Sequence, residues 1–332
     1  MIRKRTLLFV IILALSVVIL SCPPKVRSVN GGGQKEDVNK IGDRRVAHRS
    51  IISEEKEAAI GKQYAVEIDK SAKLLADPVV NEYVNRVAQN IARNSDLKIP
   101  LTVKVIDAPG INAFALPGGF LYVNAGLLLA ADEEAQMAGV MAHEIAHVAA
   151  RHWASQMTKA QLIQYAMIPL IFTPMTYGVY VAVIEGLNVG VPLAFLKFSR
   201  SAEAEADYLG IQYLYKTGYD PSSYVTFFAK VIDEERRSPG SVPKIFMDHP
   251  MTPERVLKSE QEIKEILPKK GQYLVSTSEF DDVKSRLQIV ISSRKKTAKE
   301  GPTLKKREEA GKEKQPEKSG EEEKPPVLRR RD

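Results

Sequence analysis

The ten residues MAHEIAHVAA, at positions 141–150, decide how the rest of this chain is interpreted. They continue an apolar run that begins near Asp132, a plausible N-cap, and the pattern predicts a long helix. Residues four apart on a helix differ by about 40° in direction, so the imidazoles of His143 and His147 leave one face about one turn apart. That spacing suits two nitrogens at about 2.0–2.1 Å from one Zn²⁺ ion. Glu144 would then reach a water at the metal as general base.

The alternative for this motif is a helix in which histidine and glutamate occur by chance, although desolvating them there would be costly without a metal or partner. A hydrolytic zinc site takes three protein ligands and leaves one position for water. We predict that the helix runs through His152 or beyond. His152 is then turned about 140° from His147, so we expect it to make a structural contact beside Arg151 and not to bind the ion.

The third ligand is sought in SRSAEAEAD, residues 199–207. Glu203 and Asp207 are four apart and share a helix face, whereas Glu205 points about 200° away from Glu203. The spacing predicts Glu203 as a ligand, Asp207 as the acceptor that fixes the tautomer of a ligating histidine, and Glu205 as a solvent-facing or salt-bridged residue. A solvated acidic face is the alternative, but the interspersed alanines favour close approach of another helix.

The remaining pattern predicts an α+β fold that is mostly helical, with a small β-sheet beside the histidine helix. Apolar residues at three- and four-residue spacing predict helices, and alternation rich in β-branched residues predicts strands. Helices are expected at about 53–75, 79–93, 201–215 and after 221; strands are expected at 101–106 and on both sides of a turn at 117–119.

Four motifs in order resemble the gluzincin metallopeptidases of the HtpX and CAAX-prenyl-protease type, within them the envelope lipoprotein or periplasmic branch. The motifs are NAFALPGGFLYV from Asn112, HEIAH from His143, SRSAEAEAD from Ser199 and DHPMTPER from Asp248. The resemblance covers about residues 53–266. It implies a zincin-type domain with one Zn²⁺ and Glu203 as third ligand, in agreement with the spacing. It also implies that the edge-strand segment Asn112, Ala113, Phe114 and Ala115 binds an extended substrate.

His249 lies in FMDHP, residues 246–250, just before a helix expected near Thr252. Its imidazole could cap or pack that helix. It could instead donate a hydrogen bond to the oxyanion of the transition state, or occupy the open metal position and block the resting enzyme. The resemblance favours one of the last two roles. Arg255, one turn into the next helix, is a weaker candidate for a charge beside the site.

The ends of the chain carry its basic charge. The formal charge is +7, but the first 21 residues hold three basic residues and no acid, and residues 294–332 hold 14 basic against 9 acidic residues. The nearly neutral body gives no electrostatic case for nucleic-acid binding. Hydrophobic residues at 44% and charged residues at 27% exclude a polytopic membrane protein and a wholly disordered chain.

Cys22 is the single cysteine of the chain, so no intramolecular disulfide can form. It follows a basic start, an apolar run to Leu20 and the small residue Ser21, which resembles the lipobox of bacterial lipoproteins. The apolar run has about 14 residues, short of the roughly 20 that a membrane span needs, which disfavours an uncleaved signal anchor. Pro23, in place of an aspartate, favours the outer membrane, facing the periplasm.

The expected domain order is a signal peptide (1–21), a flexible tether (22–50) in which His48 has no role, a metallopeptidase domain (51–270), a helical extension (271–293) and a charged disordered tail (294–332). The apolar stretch 162–196 is interrupted by prolines and is too short for two membrane crossings. One crossing would separate the histidines from Glu203. We therefore expect a helical hairpin over the cleft or at the lipid surface, with a core helix as the alternative.

The sequence predicts a zinc-dependent endopeptidase that hydrolyses unfolded or misassembled envelope proteins, with polypeptides and the membrane as its partners. The alternative is an envelope assembly factor or chaperone with minor protease activity. A structural zinc protein is a third reading, but three ligands with an acid beside them argue against it.

The lipobox-like stretch can be tested at its cysteine. Cys22→Ala should abolish labelling with a radioactive fatty acid and leave the protein soluble or as an unprocessed precursor, because the thiol that carries the lipid is gone. An intact mass of the wild-type protein with an unmodified Cys22 would reject the anchor.

Overall fold

The computed structural model describes residues 37–167, 198–237, 249–250 and 252–299. Cys22, the leader, most of the apolar stretch 162–196 and the tail beyond 299 lie outside these ranges. Contacts divide the chain into one unit up to Ile291 and a second from Ser292. The first unit is described below. The described part of the second unit is residues 292–299, which are helical.

The described residues are mostly helical, with one small sheet, which confirms the predicted α+β class. The helices are α1 Glu54–Ser71, α2 Pro78–Arg93, α3 Ala125–Ala130, α4 Glu134–Ala149, α5 His152–Met167, α6 Arg200–Thr217, α7 Ser222–Arg237, α8 Pro253–Ile266 and α9 Ser278–Lys299, with a short 3-10 helix at Val38–Lys40. The strands are β1 Thr102–Ile106, β2 Ala113–Leu116 and β3 Phe120–Asn124. No helix in these ranges combines the length and the apolar character that a membrane span needs.

The sheet has the order β1-β3-β2, so β2 lies at an edge. β1 runs parallel to β3, and β2 runs antiparallel to it with Phe114 opposite Tyr122. The turn between β2 and β3 contains Gly118 and Gly119 at φ values of 79° and 86°, which glycine adopts without a steric penalty. The strands predicted on both sides of 117–119 are therefore confirmed.

Helix α4 forms the centre of the domain, because every residue from Glu134 to Ala149 is buried. Helix α6 packs closely against it. A β-carbon on Gly210 would lie 3.0 Å from the backbone of His143, so only glycine permits this approach without a shift. Ala206, one turn earlier, is fully buried. The small residues of α6 therefore bring its acidic side chains to the histidines of α4.

The long helix predicted from Asp132 through His152 is instead two helices, and this correction matters for the site. α4 starts at Glu134 with Glu133 as N-cap, and it ends at Ala149. Arg151 then adopts φ 56°, which turns the chain before α5 begins at His152. The Arg151 guanidinium holds this turn, since Nε donates to Glu57 Oε2 (2.8 Å) and Nη2 donates to the carbonyl of Ile52 (2.8 Å).

The prediction of a flexible tether up to residue 50 is wrong for residues 37–50. Val38, Ile41 and Val46 are buried in the main core. Arg44 is buried as well and pairs with Asp96, with Nη2 2.7 Å from Oδ2. These apolar side chains and this ion pair attach the segment to the domain. At the other end, α9 continues through residues 294–299, which the sequence assigned to a disordered tail.

Gly61 in α1 allows the β2–β3 turn to touch that helix. A β-carbon on Gly61 would lie 1.6 Å from the carbonyl oxygen of Pro117, a backbone atom that cannot rotate away. We predict that Gly61→Ala lowers the free energy of unfolding by about 1–3 kcal/mol or more, although alanine favours a helix by about 1 kcal/mol.

Urea unfolding measures this change, with Gly271→Ala as the matched control. A β-carbon on Gly271 would meet no atom within 4 Å, so the control should stay within about 0.5 kcal/mol of the wild type. Equal unfolding midpoints for the two variants would contradict the packing described for Gly61.

Candidate active site

His143 and His147 lie side by side on α4, as the four-residue spacing predicts. Their Nε2 atoms are 3.1 Å apart, and both side chains are buried. The rings meet edge to face, with centroids 4.7 Å apart. The two nitrogens therefore face one common point.

Glu203 reaches the same point from the first turn of α6, which Ser199 caps by accepting from the amide of Ala202. Its Oε2 lies 3.5 Å from His143 Nε2, and its Oε1 lies 3.7 Å from His147 Nε2. Three ligands at about 2.0–2.1 Å from one tetrahedral ion would be about 3.4 Å from each other. The measured separations match this value.

Asp207 lies one turn further along α6, behind His143. Its Oδ1 is 3.1 Å from His143 Nδ1, the ring nitrogen that faces away from the cluster. The hydroxyl of Tyr224 donates to the same carboxylate. Arg255 donates to both carboxylate oxygens, through Nε (2.7 Å) and Nη2 (2.6 Å). This network holds the ring of His143 in place.

Glu144 is buried beside the histidines and is linked to the sheet edge. Its Oε2 accepts a hydrogen bond from the backbone amide of Ala115 in β2 (3.1 Å). Its Oε1 is buried without a hydrogen-bond partner. The edge strand thus holds one oxygen of Glu144, while the other makes no hydrogen bond.

His249 lies inside the cluster. Its Nδ1 is 3.0 Å from Glu203 Oε1 and 3.4 Å from His143 Nε2, and its Nε2 is 3.4 Å from Glu144 Oε1. The four residues His143, His147, Glu203 and His249 each offer a ligand atom within 4.8 Å of the others. His249 therefore contacts both the histidine pair and the acid beside it.

Of the predicted substrate segment, Ala115 makes the link to the cluster. The carbonyl of Asn112 accepts from the amide of Asn124 in β3 (2.9 Å), so Asn112 faces into the sheet. Ala113 is buried opposite Val123, and the ring of Phe114 stacks on Tyr122 with centroids 5.2 Å apart.

Residues 78–263 match the model of peptidase family M48, a match that covers more than half of the chain. The chain belongs to peptidase family M48. It is 31% identical over 227 residues to a putative beta-barrel assembly-enhancing protease of Vibrio cholerae, covering 67% of this chain and 47% of that protein. It is 30% identical over 239 residues to the beta-barrel assembly-enhancing protease of Escherichia coli, and the match covers 70% of this chain and 49% of that protein.

A mitochondrial metalloendopeptidase OMA1 of Arabidopsis thaliana is 32% identical over 163 residues, covering 49% of this chain and 32% of that protein. The chain thus spans about half the length of the bacterial relatives that it matches. The resemblance drawn from the four motifs is confirmed at the level of a metallopeptidase family. The finer HtpX and CAAX-prenyl-protease type stays a prediction.

Burial and neighbouring charges shift the pKa values in this family M48 pocket in both directions. Burial lowers the pKa of His143, but hydrogen bonds to Asp207 and Glu203 outweigh burial and raise it to about 9. Burial would raise the pKa of Glu203, yet the neighbouring His249 and His143 bring it below its ordinary value. Burial raises the pKa of Glu144 and holds that of His147 well below its usual range.

Several contacts of the site were not predicted from the sequence. Tyr224 comes from α7 and carries no motif. The ring of Phe198 stacks on His147, with centroids 4.2 Å apart. His152, expected beside Arg151, instead places Nδ1 2.9 Å from His147 Nδ1. His48, expected to be idle, lies 2.7 Å from Glu205, whose predicted salt-bridge role fits this contact. The spacing of residues gives no signal for contacts that depend on the turn at Arg151.

Proposed function

We propose that this chain is a zinc-dependent endopeptidase that hydrolyses peptide bonds of unfolded or misassembled envelope proteins. One observation carries the proposal: His143, His147 and Glu203 converge at separations that suit one tetrahedral ion, and an oxygen of Glu144 that makes no hydrogen bond lies beside them. Membership of peptidase family M48 supports the reaction class.

The residues present fit a zinc ion. Two imidazoles and one carboxylate are a common ligand set of hydrolytic zinc sites. Glu203 Oε2 is buried and makes no hydrogen bond, so this oxygen is suited to bind a metal. Arg255 Nη1 lies 3.1 Å from it as an ion-pair partner. Asp207 would fix the tautomer of His143 from behind, as carboxylates do at metal sites. When bound, the ion supplies a Lewis acid that polarises the scissile carbonyl and acidifies a water.

Glu144 is proposed as the general base. The amide of Ala115 holds one oxygen, so the other keeps a fixed direction toward the reacting water. Burial raises the pKa of this carboxyl, so Glu144 takes up a proton from the water more readily and retains it until the leaving amine accepts it. His143 and His147 stay neutral as ligands and take no part in this proton transfer.

The substrate is proposed to add as an extended strand along β2. Asn112 pairs inward with β3, so by alternation the backbone groups of Ala113 and Ala115 face outward from the sheet edge. The amide of Ala115 already donates to Glu144, so a peptide pairs with the backbone groups of Ala113 and with the carbonyl of Ala115, and it then lies next to Glu144. Recognition through backbone hydrogen bonds selects for unfolded segments and not for one sequence.

The proposed location is the bacterial envelope, anchored by lipid on Cys22 and facing the periplasm. The pattern from Ile19 to Cys22 supports the anchor, and Pro23 favours the outer membrane. The bacterial relatives are named for enhancing beta-barrel assembly. That name also keeps a second function open, in which the chain assists assembly by binding and hydrolysis is secondary. A Glu144→Gln protein that still supports assembly would favour this second function.

The proposed chemistry predicts different outcomes for two variants. Glu144→Gln should keep zinc but lose about 10²–10⁴-fold in rate, because the base is gone while the ligands remain. Glu203→Ala should lose the metal itself. Zinc analysis by mass spectrometry and degradation of an unfolded protein by the purified domain measure both, with Glu265→Ala, an exposed change on α8, as control. Full activity in Glu144→Gln would rule out Glu144 as the general base. Normal zinc content in Glu203→Ala would rule out Glu203 as a metal ligand.

His249 is proposed to occupy the fourth metal position in this conformation. Its Nδ1 lies 3.0 Å and 3.4 Å from atoms of Glu203 and His143, which are the separations expected among ligands of one ion. A fourth protein ligand leaves no position for water, so the residue would block the resting enzyme. It comes from the segment before α8 and must move before substrate can be hydrolysed.

His249→Ala distinguishes the three roles considered for this histidine. Blocking predicts a higher rate of peptide hydrolysis, measured with the unfolded protein substrate at fixed zinc. Help to the oxyanion would instead give a loss of about 10²–10³-fold. A lower melting temperature with unchanged kinetics would leave His249 with a packing role and overturn the proposal.

A further inference from the structure

Three side chains in contact with one another, His152, Glu205 and His48, form a row that extends from His147 away from the proposed metal. His147 Nδ1 lies 2.9 Å from Nδ1 of His152, the first residue of α5. His152 Nε2 lies 3.4 Å from Oε2 of Glu205, on α6. The same carboxylate oxygen lies 2.7 Å from Nε2 of His48, in the packed N-terminal segment. His152 is buried, and the other two are partly buried.

The outer part of this row has the composition of a second cation site. His48, His152 and Glu205 each offer one ligand atom within 4.8 Å of the others. Two imidazoles and a carboxylate would suit a transition-metal ion. The positions of the protons decide between a second cation site and a hydrogen-bonded support for His147.

Two ring nitrogens 2.9 Å apart must share one proton, because two bare nitrogens or two N–H groups would repel. His147 turns Nε2 toward the proposed metal, so its single proton lies on Nδ1 and is donated to His152. Nδ1 of His152 is therefore an acceptor, and its own proton lies on Nε2 and is donated to Glu205. A protonated nitrogen cannot bind a metal. A cation bound by His152 is thus incompatible with a metal bound by His147.

We infer that His152 and Glu205 are positioning residues that hold His147 in the tautomer and orientation needed to bind the metal, with His48 aligning the Glu205 carboxylate. The inference rests on the proposed function, because it takes His147 as a ligand. Asp207 is placed in the same way behind His143. Each histidine of α4 is then supported by a carboxylate. Asp207 contacts His143 directly, whereas Glu205 acts on His147 through the neutral imidazole of His152. Such partners strengthen the ligand and restrict its rotation.

The turn at Arg151 makes this contact possible. On a continuous helix His152 would point about 140° away from His147. The left-handed conformation of Arg151 (φ 56°) breaks the helix, and His152 then lies against the ring of His147. A non-glycine residue adopts this conformation only when its surroundings impose it. The contacts of its guanidinium with Glu57 and Ile52 supply that constraint.

The test measures the zinc dissociation constant of the full-length protein by competition with a coloured chelator. His152→Phe keeps a ring of similar size but removes both nitrogens, and it should weaken zinc binding about 10–100-fold. His152→Asn keeps an acceptor near the position of Nδ1, and it should recover most of the affinity. Ser155→Ala, one turn along α5, is the matched control and should bind zinc as the wild type does.

Glu205→Gln accompanies these variants in case His152→Phe does not fold, since it changes a partly exposed residue without a change of shape. This variant should weaken zinc binding by about 10-fold, because the negative charge next to His152 is lost. Visible spectra of the Co²⁺ form should change in His152→Phe and return toward the wild type in His152→Asn. If His152 only packs, all His152 variants should have a lower melting temperature, and His152→Asn should not bind zinc more tightly than His152→Phe.

Three results would overturn the inference. Unchanged zinc affinity in folded His152→Phe would do so, and unchanged affinity in Glu205→Gln would do so if His152→Phe does not fold. Two zinc ions per wild-type chain, with one lost in His152→Phe, would show a second cation site instead. These outcomes are distinct from failure of the proposed function, in which the wild type binds no zinc or Glu203→Ala binds it normally.

Discussion

Buried negative charge at the contact of α4 with α6 is the constraint on which the rest of the structure depends. Glu144, Glu203 and Asp207 are all buried in one pocket of the domain. Carboxylates removed from water must be protonated or compensated by positive charge. Arg255 compensates Asp207 through two short hydrogen bonds. The negative charge that remains must be compensated by the histidines and by the cation that we propose they bind.

The surrounding elements can be understood as supports for that pocket. The small residues of α6 bring Glu203 to α4, and α7 contributes Tyr224 behind His143. The sheet edge holds Glu144 through the amide of Ala115. The turn at Arg151 returns α5 so that His152 stands behind His147. A catalytic geometry of this kind needs support on every side, because a ligand that rotates loses its metal.

The spacing of residues predicted the parts of the site that lie within single helices. The four-residue intervals placed His143 beside His147, and Glu203 above Asp207, because helical geometry fixes these relations without reference to the fold. The edge strand and its glycine turn were predicted for the same local reason. The packing of residues 37–50 was not, because a polar, glycine-containing stretch gives no sign that Val38, Ile41 and Val46 reach the core.

The role of His152 shows why the rest could not be predicted. A periodic pattern assumes that the helix continues, and the pattern contains no glycine or proline that would mark an end at Ala149. The break depends on Arg151, whose strained backbone is held by Glu57 from a distant helix. Contacts between distant segments, such as Tyr224 with Asp207 or Phe198 with His147, likewise need the assembled domain.

The central claim is that one zinc ion lies between His143, His147 and Glu203. Anomalous X-ray diffraction at the zinc edge, on crystals of the purified protein, tests it most directly. The account predicts one peak, about 2.0–2.2 Å from Nε2 of each histidine and from a carboxylate oxygen of Glu203. No peak between these three residues, or a peak between His48, His152 and Glu205 in its place, would contradict the account.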